Sequence, residues 1–99
     1  MAGETRRYVS KLNQYEIWYY VAKESGSIEI ANRLIDTITD RFFMLAGFPY
    51  VGRARDDEFG VGCRSVAVGE YVILYCVENE DVLILRVVHS RHLGALFDR

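Results

Sequence analysis

The chain has 99 residues, of which 51% are hydrophobic and 26% charged. Those proportions belong to one folded domain with a small core; they exclude a disordered chain and leave no room for a second domain. The formal net charge is −2, and neither residues 1–60 (8 Lys+Arg against 9 Asp+Glu) nor residues 61–99 (4 against 5) are basic. This argues against a non-specific grip on nucleic acid, which needs Lys and Arg to neutralise phosphates. Direct DNA binding is therefore not expected of the chain on its own.

Residues 1–7 are polar and are expected to be flexible, with a short strand at Tyr8-Val9-Ser10. A first helix, Leu12 to Glu24, follows. Its segment Tyr15-Glu16-Ile17-Trp18-Tyr19-Tyr20-Val21-Ala22 is apolar or aromatic nearly all round, which predicts burial on more than one side. That is more apolar surface than one small core covers. Ser25-Gly26-Ser27 breaks the helix, and Ser27 is suited to cap the next. In that second helix Ile28, Ala31, Ile35, Ile38, Phe42 and Leu45 step by three and four residues, one continuous stripe that ends at Gly47 and Pro49. The short connection predicts an antiparallel helical hairpin.

A loop rich in glycine and charge runs from Phe48 to Gly62. Three strands follow: Arg64 to Val68, Tyr71 to Val77 and Val82 to His89. Gly69-Glu70 fits a two-residue turn between the first two, and Glu78-Asn79-Glu80-Asp81 a longer one. Tyr71 to Val77 is apolar on both faces, as an interior strand covered on both sides would be. Strict alternation along the last strand puts Leu83, Leu85, Val87 and His89 on one face, and Val82, Ile84, Arg86 and Val88 on the other. The tail from Ser90 to Arg99 is weakly patterned. The predicted fold is α+β: an N-terminal strand and a two-helix antiparallel hairpin packed on a mainly antiparallel sheet of about four strands, β-α-α-β-β-β, in a single domain over 1–99.

Cys63 and Cys76 lack metal-ligand spacing and lie in apolar strand-like runs; they are expected to be free thiols packed as small hydrophobes, a disulfide between them being the unneeded alternative. No metal or cofactor is expected. The polar start has no apolar segment behind it, and the longest apolar runs are far too short to span a bilayer, so a cytoplasmic protein without membrane contact is expected.

The segments Ile17-Trp18-Tyr19-Tyr20-Val21-Ala22, Ala31-Asn32-Arg33-Leu34-Ile35-Asp36, Phe48-Pro49-Tyr50-Val51-Gly52-Arg53, Gly62-Cys63-Arg64-Ser65, Val68-Gly69-Glu70-Tyr71-Val72-Ile73 and Leu85-Arg86-Val87-Val88-His89 resemble consecutive motifs of ParE-type toxins in the RelE/ParE superfamily. They occur in family order between residues 8 and 93. The resemblance implies a toxin paired with an antitoxin protein, ParD-like or similar. ParE-type relatives poison DNA gyrase by binding, whereas RelE-type relatives of the same fold cut messenger RNA on the ribosome. One departure stands at the end, where ParE-type chains often continue with Gly-x-Arg-Asp after the histidine and this one has Ser90-Arg91-His92-Leu93.

For a ribonuclease, Arg64 and Arg86 would supply cations, and His89 and His92 an acid or base. Against that reading stand the Gly69-Glu70 turn, where the nucleases tend to carry Arg or Lys, the acidic net charge, and the opposite facing of Arg86 and His89. The reading preferred is a toxin that acts by binding and is not an enzyme, inhibiting gyrase or a related topoisomerase. Arg53, Arg55, Arg64, Arg86 and Arg91 are then the candidate target-binding residues, and Tyr15, Trp18, Tyr19 and Tyr20 the candidate antitoxin-binding residues. The messenger endonuclease is the alternative, as is a degenerate, non-toxic antitoxin-binding module. For Arg86 a structural ion pair with Glu70 or Asp81 is the competing expectation.

Overall fold

The computed structural model describes residues 7–79 and 81–96; most of the N-terminal segment expected to be flexible lies outside them. Strand β1 (Arg7–Ser10) is followed by helices α1 (Gln14–Ser25) and α2 (Ile28–Gly47). Next come a two-residue strand β2 (Arg53–Ala54), one helical turn α3 (Asp56–Phe59), and strands β3 (Cys63–Val68), β4 (Tyr71–Val77) and β5 (Asp81–His89). Two 3-10 turns, Ser90–His92 and Gly94–Leu96, complete the described chain.

The helix ends follow from local chemistry. At the start of α1, Asn13 Oδ1 accepts from the Glu16 N–H while the Glu16 carboxylate accepts from the Asn13 N–H, a reciprocal capping box. Gly26 ends α1 with φ of 71°, a left-handed conformation that costs glycine nothing. Ser27 caps α2 as expected, its hydroxyl accepting from the Ile30 N–H. The α2 stripe buries Ala31, Ile38, Phe42 and Leu45, while Ile28 in the first turn is exposed.

The five strands form one sheet in the order β1-β5-β4-β3-β2. All neighbours are antiparallel except β1, which lies parallel to β5 with Arg7 beside Asp81 and Ser10 beside Ile84. This is the expected α+β arrangement with one strand more than expected. The added strand is β2, inside the Phe48–Gly62 loop. The helical hairpin covers one face, where Ile17, Val21, Ile38, Phe42 and Leu45 meet Tyr71, Ile73, Tyr75, Val82, Ile84 and Val87. On the second face Val72, Leu74 and Val88 are covered by Phe59 of α3 and by Leu93 and Leu96 of the terminal turns. Strand β4 is thus buried on both sides, as its sequence demands.

Two expectations are corrected. Strict alternation fails in β5, because Leu74 pairs with Arg86 but Tyr75 pairs with Ile84, leaving Leu85 as the extra residue of a bulge. The bulge moves Val82 and Ile84 to the helical face, the face of Val87 and His89. It lies before Arg86, so Arg86 and His89 still point to opposite sides. The second correction concerns the thiols: Cys63 and Cys76 are joined in a disulfide. The two-residue turn at Gly69-Glu70 sets residues equidistant from it opposite one another, and the β3–β4 register pairs Cys63 directly with Cys76.

The bond staples a hairpin that carries the central strand. Native protein should therefore give an intact mass about two units below that of the reduced chain. Replacing both cysteines by alanine should cost about 2–4 kcal/mol in chemical denaturation. A native mass equal to the reduced one, with rapid labelling of Cys76, would restore the free-thiol expectation.

Candidate functional site

Three surfaces carry the chemistry-bearing residues, and the sheet decides which residue belongs to which. The first is the outer face of α1. Tyr15 and Tyr19, four residues apart, stand 66% and 50% exposed. The Tyr15 ring is stacked near Trp18 (centroids 6.0 Å apart) and near Tyr19 (6.1 Å). Lys23 Nζ lies 5.8 Å from the Tyr19 ring centroid. The Trp18 indole N–H donates to Asn32 Oδ1 at 2.8 Å, tying α1 to α2. Three of the four expected antitoxin-binding aromatics are therefore gathered on one face. Tyr20 points elsewhere: it packs against the core and its hydroxyl accepts from the His89 N–H at 2.9 Å.

The second surface is the face of the sheet away from the hairpin, covered over Val72, Leu74 and Val88 but open at Arg53 and Arg86. Arg53, Ser65, Leu74 and Arg86 are successive partners in the register and form one row across four strands, which spans roughly 14 Å at ordinary strand spacing. Arg55 joins them by donating from Nε to Ser65 Oγ at 2.8 Å, and it sits 3.9 Å from Glu58. Arg86 has no ion pair among the described residues. The acids once weighed as its partners are engaged elsewhere, Asp81 with Arg7 and Glu70 with His89.

Arg64 is not part of that row. It faces the helical side and donates to the backbone oxygens of Tyr50 (3.1 Å) and Gly52 (2.6 Å), with its guanidinium 5.2 Å from the Tyr50 ring centroid. The buried Tyr75 hydroxyl completes the clamp, donating to Pro49 O at 2.8 Å and accepting from the Gly52 N–H at 3.0 Å. Burial pushes the Tyr75 phenol up, with the Gly52 hydrogen bond and the Arg64 charge opposing. A Cβ on Gly52 would stand 2.5 Å from Tyr75 Oη and 2.7 Å from Ser65 O, so only glycine fits.

The third surface lies where α1 ends and β5 runs out. A cavity of about 380 Å³ is lined by Glu24 and Ser25 of α1, Ile30 and Leu34 of α2, the turn residue Glu70, Tyr71 of β4, and His89 and Arg91. Here the chain end is tied down by ions. Glu24 accepts from Arg91 Nη2 at 2.6 Å and lies 3.2 Å from His92 Nε2. The Arg91 guanidinium also suits the negative end of the α1 dipole, where Glu24 alone would be unfavourable. His89 Nδ1 accepts from the Arg91 N–H at 3.1 Å, so the neutral ring carries its proton on Nε2, 3.0 Å from Glu70. Tyr71, 4% exposed, holds the one buried side-chain polar atom among the described residues that has no hydrogen-bond partner. Burial raises its pKa, Glu24, Tyr20 and Glu70 raise it further, and Arg91 opposes.

The four residues of the ribonuclease alternative are therefore separated: Arg64 at the loop clamp, Arg86 on the open face, and only His89 and His92 near one another, ring centroids 6.3 Å apart. Sequence reasoning missed Glu24 and treated Tyr71 as packing only; Glu24 meets Arg91 across 67 residues, with no local signal.

A five-stranded sheet that buries one face under a helical hairpin, with exposed aromatics on the hairpin and arginines on the opposite face, defines a small α+β domain with two exposed surfaces of different chemistry. The family described as ParE toxin of type II toxin–antitoxin system, parDE, matches residues 11–94. The chain belongs to that family. It is 34% identical over 68 residues to Toxin ParE3 of Caulobacter vibrioides, which covers 69% of this chain and 67% of the relative. A solved chain from the chromosomal ParDE TA system of P. aeruginosa shares the fold with a TM-score of 0.61 at 15% identity, over 90% of this chain and 98% of its own. Among the described residues no helix is long and apolar enough to cross a membrane.

Two predictions follow from the clamp and the ion cluster. Tyr75→Phe leaves Pro49 O and the Gly52 N–H without their buried partner and should cost about 1–3 kcal/mol in denaturant; Gly52→Ala should cost a similar amount through overpacking, about 1–3 kcal/mol. Burial alone would raise the Glu24 pKa, but the hydrogen bonds and charges of His92 and Arg91 outweigh it and hold it below the ordinary carboxylate range. A carboxyl with a depressed folded value stabilises the fold above its unfolded value, about 4.3, and loses that share as the pH falls through the folded one. The difference in Tm between the parent and Glu24→Gln should thus be full near neutrality and close as the pH is taken from about 5 to about 3. A difference that stays constant would detach Glu24 from this role.

Proposed function

We propose that this chain is the toxin half of a two-protein system, neutralised by an antitoxin that covers the exposed face of α1, and that it acts by binding DNA gyrase or a related topoisomerase without catalysis of its own. One observation carries the non-enzymatic reading: the cations and imidazoles a ribonuclease would need do not converge. Arg64 is consumed by the loop, Arg86 faces away from His89 across the sheet, and both His89 ring nitrogens are engaged by this chain's own groups. Arg53 and Arg86, exposed at the two ends of the transverse row, offer cations for the target. The stacked Tyr15, Trp18 and Tyr19 offer the aromatic anchors on which protein partners concentrate binding energy. That the solved relative comes from a ParDE TA system supports a partner of the antitoxin kind.

The rival is a messenger endonuclease centred on His89 and His92, favoured by the place of His89 beside Tyr71 in the cavity lining, with the His92 ring 6.3 Å from His89. Inducing the toxin without its antitoxin separates the two. A DNA-damage response that persists in His92→Ala, and falls in the double variant Arg53→Glu, Arg86→Glu, is the expected outcome. Messenger cleavage in a purified translation system, lost in a folded His92→Ala variant, would replace this reading; removing an acid or base should lower such a rate about 10²–10⁴-fold. Tyr19→Ala should weaken antitoxin binding about tenfold or more with the fold intact. Tyr20→Ala should also lower Tm, because Tyr20 holds the end of β5.

A further inference from the structure

The cavity at the end of α1 has a chemistry that selects its occupant. Its rim carries the Glu24 and Glu70 carboxylates, its wall is the aliphatic surface of Ile30 and Leu34, and the Tyr71 hydroxyl is buried in its lining without a partner. Against the two carboxylates stand one guanidinium, Arg91, and the His92 ring, both already on Glu24, and the His89 ring, bonded to Glu70 through Nε2. Glu70 remains 80% exposed along its side chain and free to take a further donor. An anionic occupant would meet the carboxylates first. An apolar one would leave the phenol oxygen as unpaired as it already is. An aliphatic stem ending in N–H donors satisfies every wall: the stem lies on Ile30 and Leu34, and the head donates to Glu70 and to Tyr71 Oη.

We propose that this cavity receives one basic side chain, lysine or arginine, from the antitoxin segment that lies along α1. The inference rests on the reading that an antitoxin covers that helix. Continuity of the helix supports that source: α1, which carries the aromatic face, also supplies Glu24 and Ser25 to the cavity lining. The site adds charge selection to a contact that aromatics alone would leave sequence-tolerant.

The test is a double-mutant cycle on the purified complex. The antitoxin encoded in the neighbouring reading frame is prepared with each Lys and Arg of its toxin-binding half replaced in turn by Met, and each form is titrated against the parent toxin, Glu70→Gln and Tyr71→Phe. The expected result is one basic residue whose loss weakens binding about tenfold in the parent, with little further loss in either toxin variant. Tyr71→Phe keeps the ring, and Glu70 is exposed, so both variants should fold; a thermal melt of each confirms it. Strictly additive losses at every basic position would overturn the site while leaving the antitoxin reading intact. Failure of the parent toxin to bind the antitoxin at all would remove both this inference and the reading beneath it.

Discussion

Strand β4 is apolar on both faces, and a strand of that kind is stable only between two covers. From Tyr71 to Tyr75 every residue is buried, and alternate side chains enter opposite layers. One cover is the helical hairpin; the other is assembled from Phe59 of a single helical turn and from Leu93 and Leu96 beyond the last strand. The second cover is thin, which is why residues after β5 take part in the structure at all. Their attachment is ionic as well as apolar, because Arg91 and His92 bind Glu24 at the end of α1. The same need for a second layer therefore brings the chain end, the α1 terminus and the β4–β3 turn into one corner, where the cavity forms.

Arginine in this protein divides into structural and available groups by strand register. Arg64 and Arg55 serve the loop that joins the helices to the sheet, the first by gripping backbone oxygens and the second through Ser65. Arg91 anchors the chain end. Arg53 and Arg86 stay on the open face, exposed, in the same transverse row. A basic residue in this family motif is thus no guide to function until its face is known. An odd number of residues from a turn can place it in the core layer or outside.

Much of the architecture could be read directly from the chain. The three-and-four spacing of Ala31, Ile38, Phe42 and Leu45, the Ser27 cap, the glycine-first turn and the two-sided apolarity of Tyr71 to Val77 are each strong local signals, and each matches the fold. The departures have physical causes. Strand β2 is two residues long and has no periodicity to read. The bulge at Leu85 leaves no local mark because Val82, Leu83, Ile84 and Leu85 are all apolar, so no alternation shows which of them faces the helices. Ile28 belongs to the stripe by spacing but sits in the first turn of α2, beyond the sheet, and is exposed. The cysteine pairing was within reach: Cys63 and Cys76 are equidistant from the Gly69-Glu70 turn, and that turn had been identified. For the candidate site, the exposed aromatics of α1 were legible, whereas the meeting of Glu24, Tyr71 and Arg91 depends on contacts between distant segments and leaves no mark in local sequence.

The parallel pairing of β1 with β5 ties the earliest part of the described chain to one of the last, Arg7 beside Asp81. Contacts of that separation form late, because the loop they close must first be ordered. During vectorial synthesis the α1–α2 hairpin needs only neighbours and can form while the ribosome is still making the sheet. The sheet itself cannot close until β5 has emerged. A nascent chain therefore displays the aromatic face of α1 before it owns a complete sheet, and a partner recognising that helix could engage the polypeptide ahead of its becoming a finished domain.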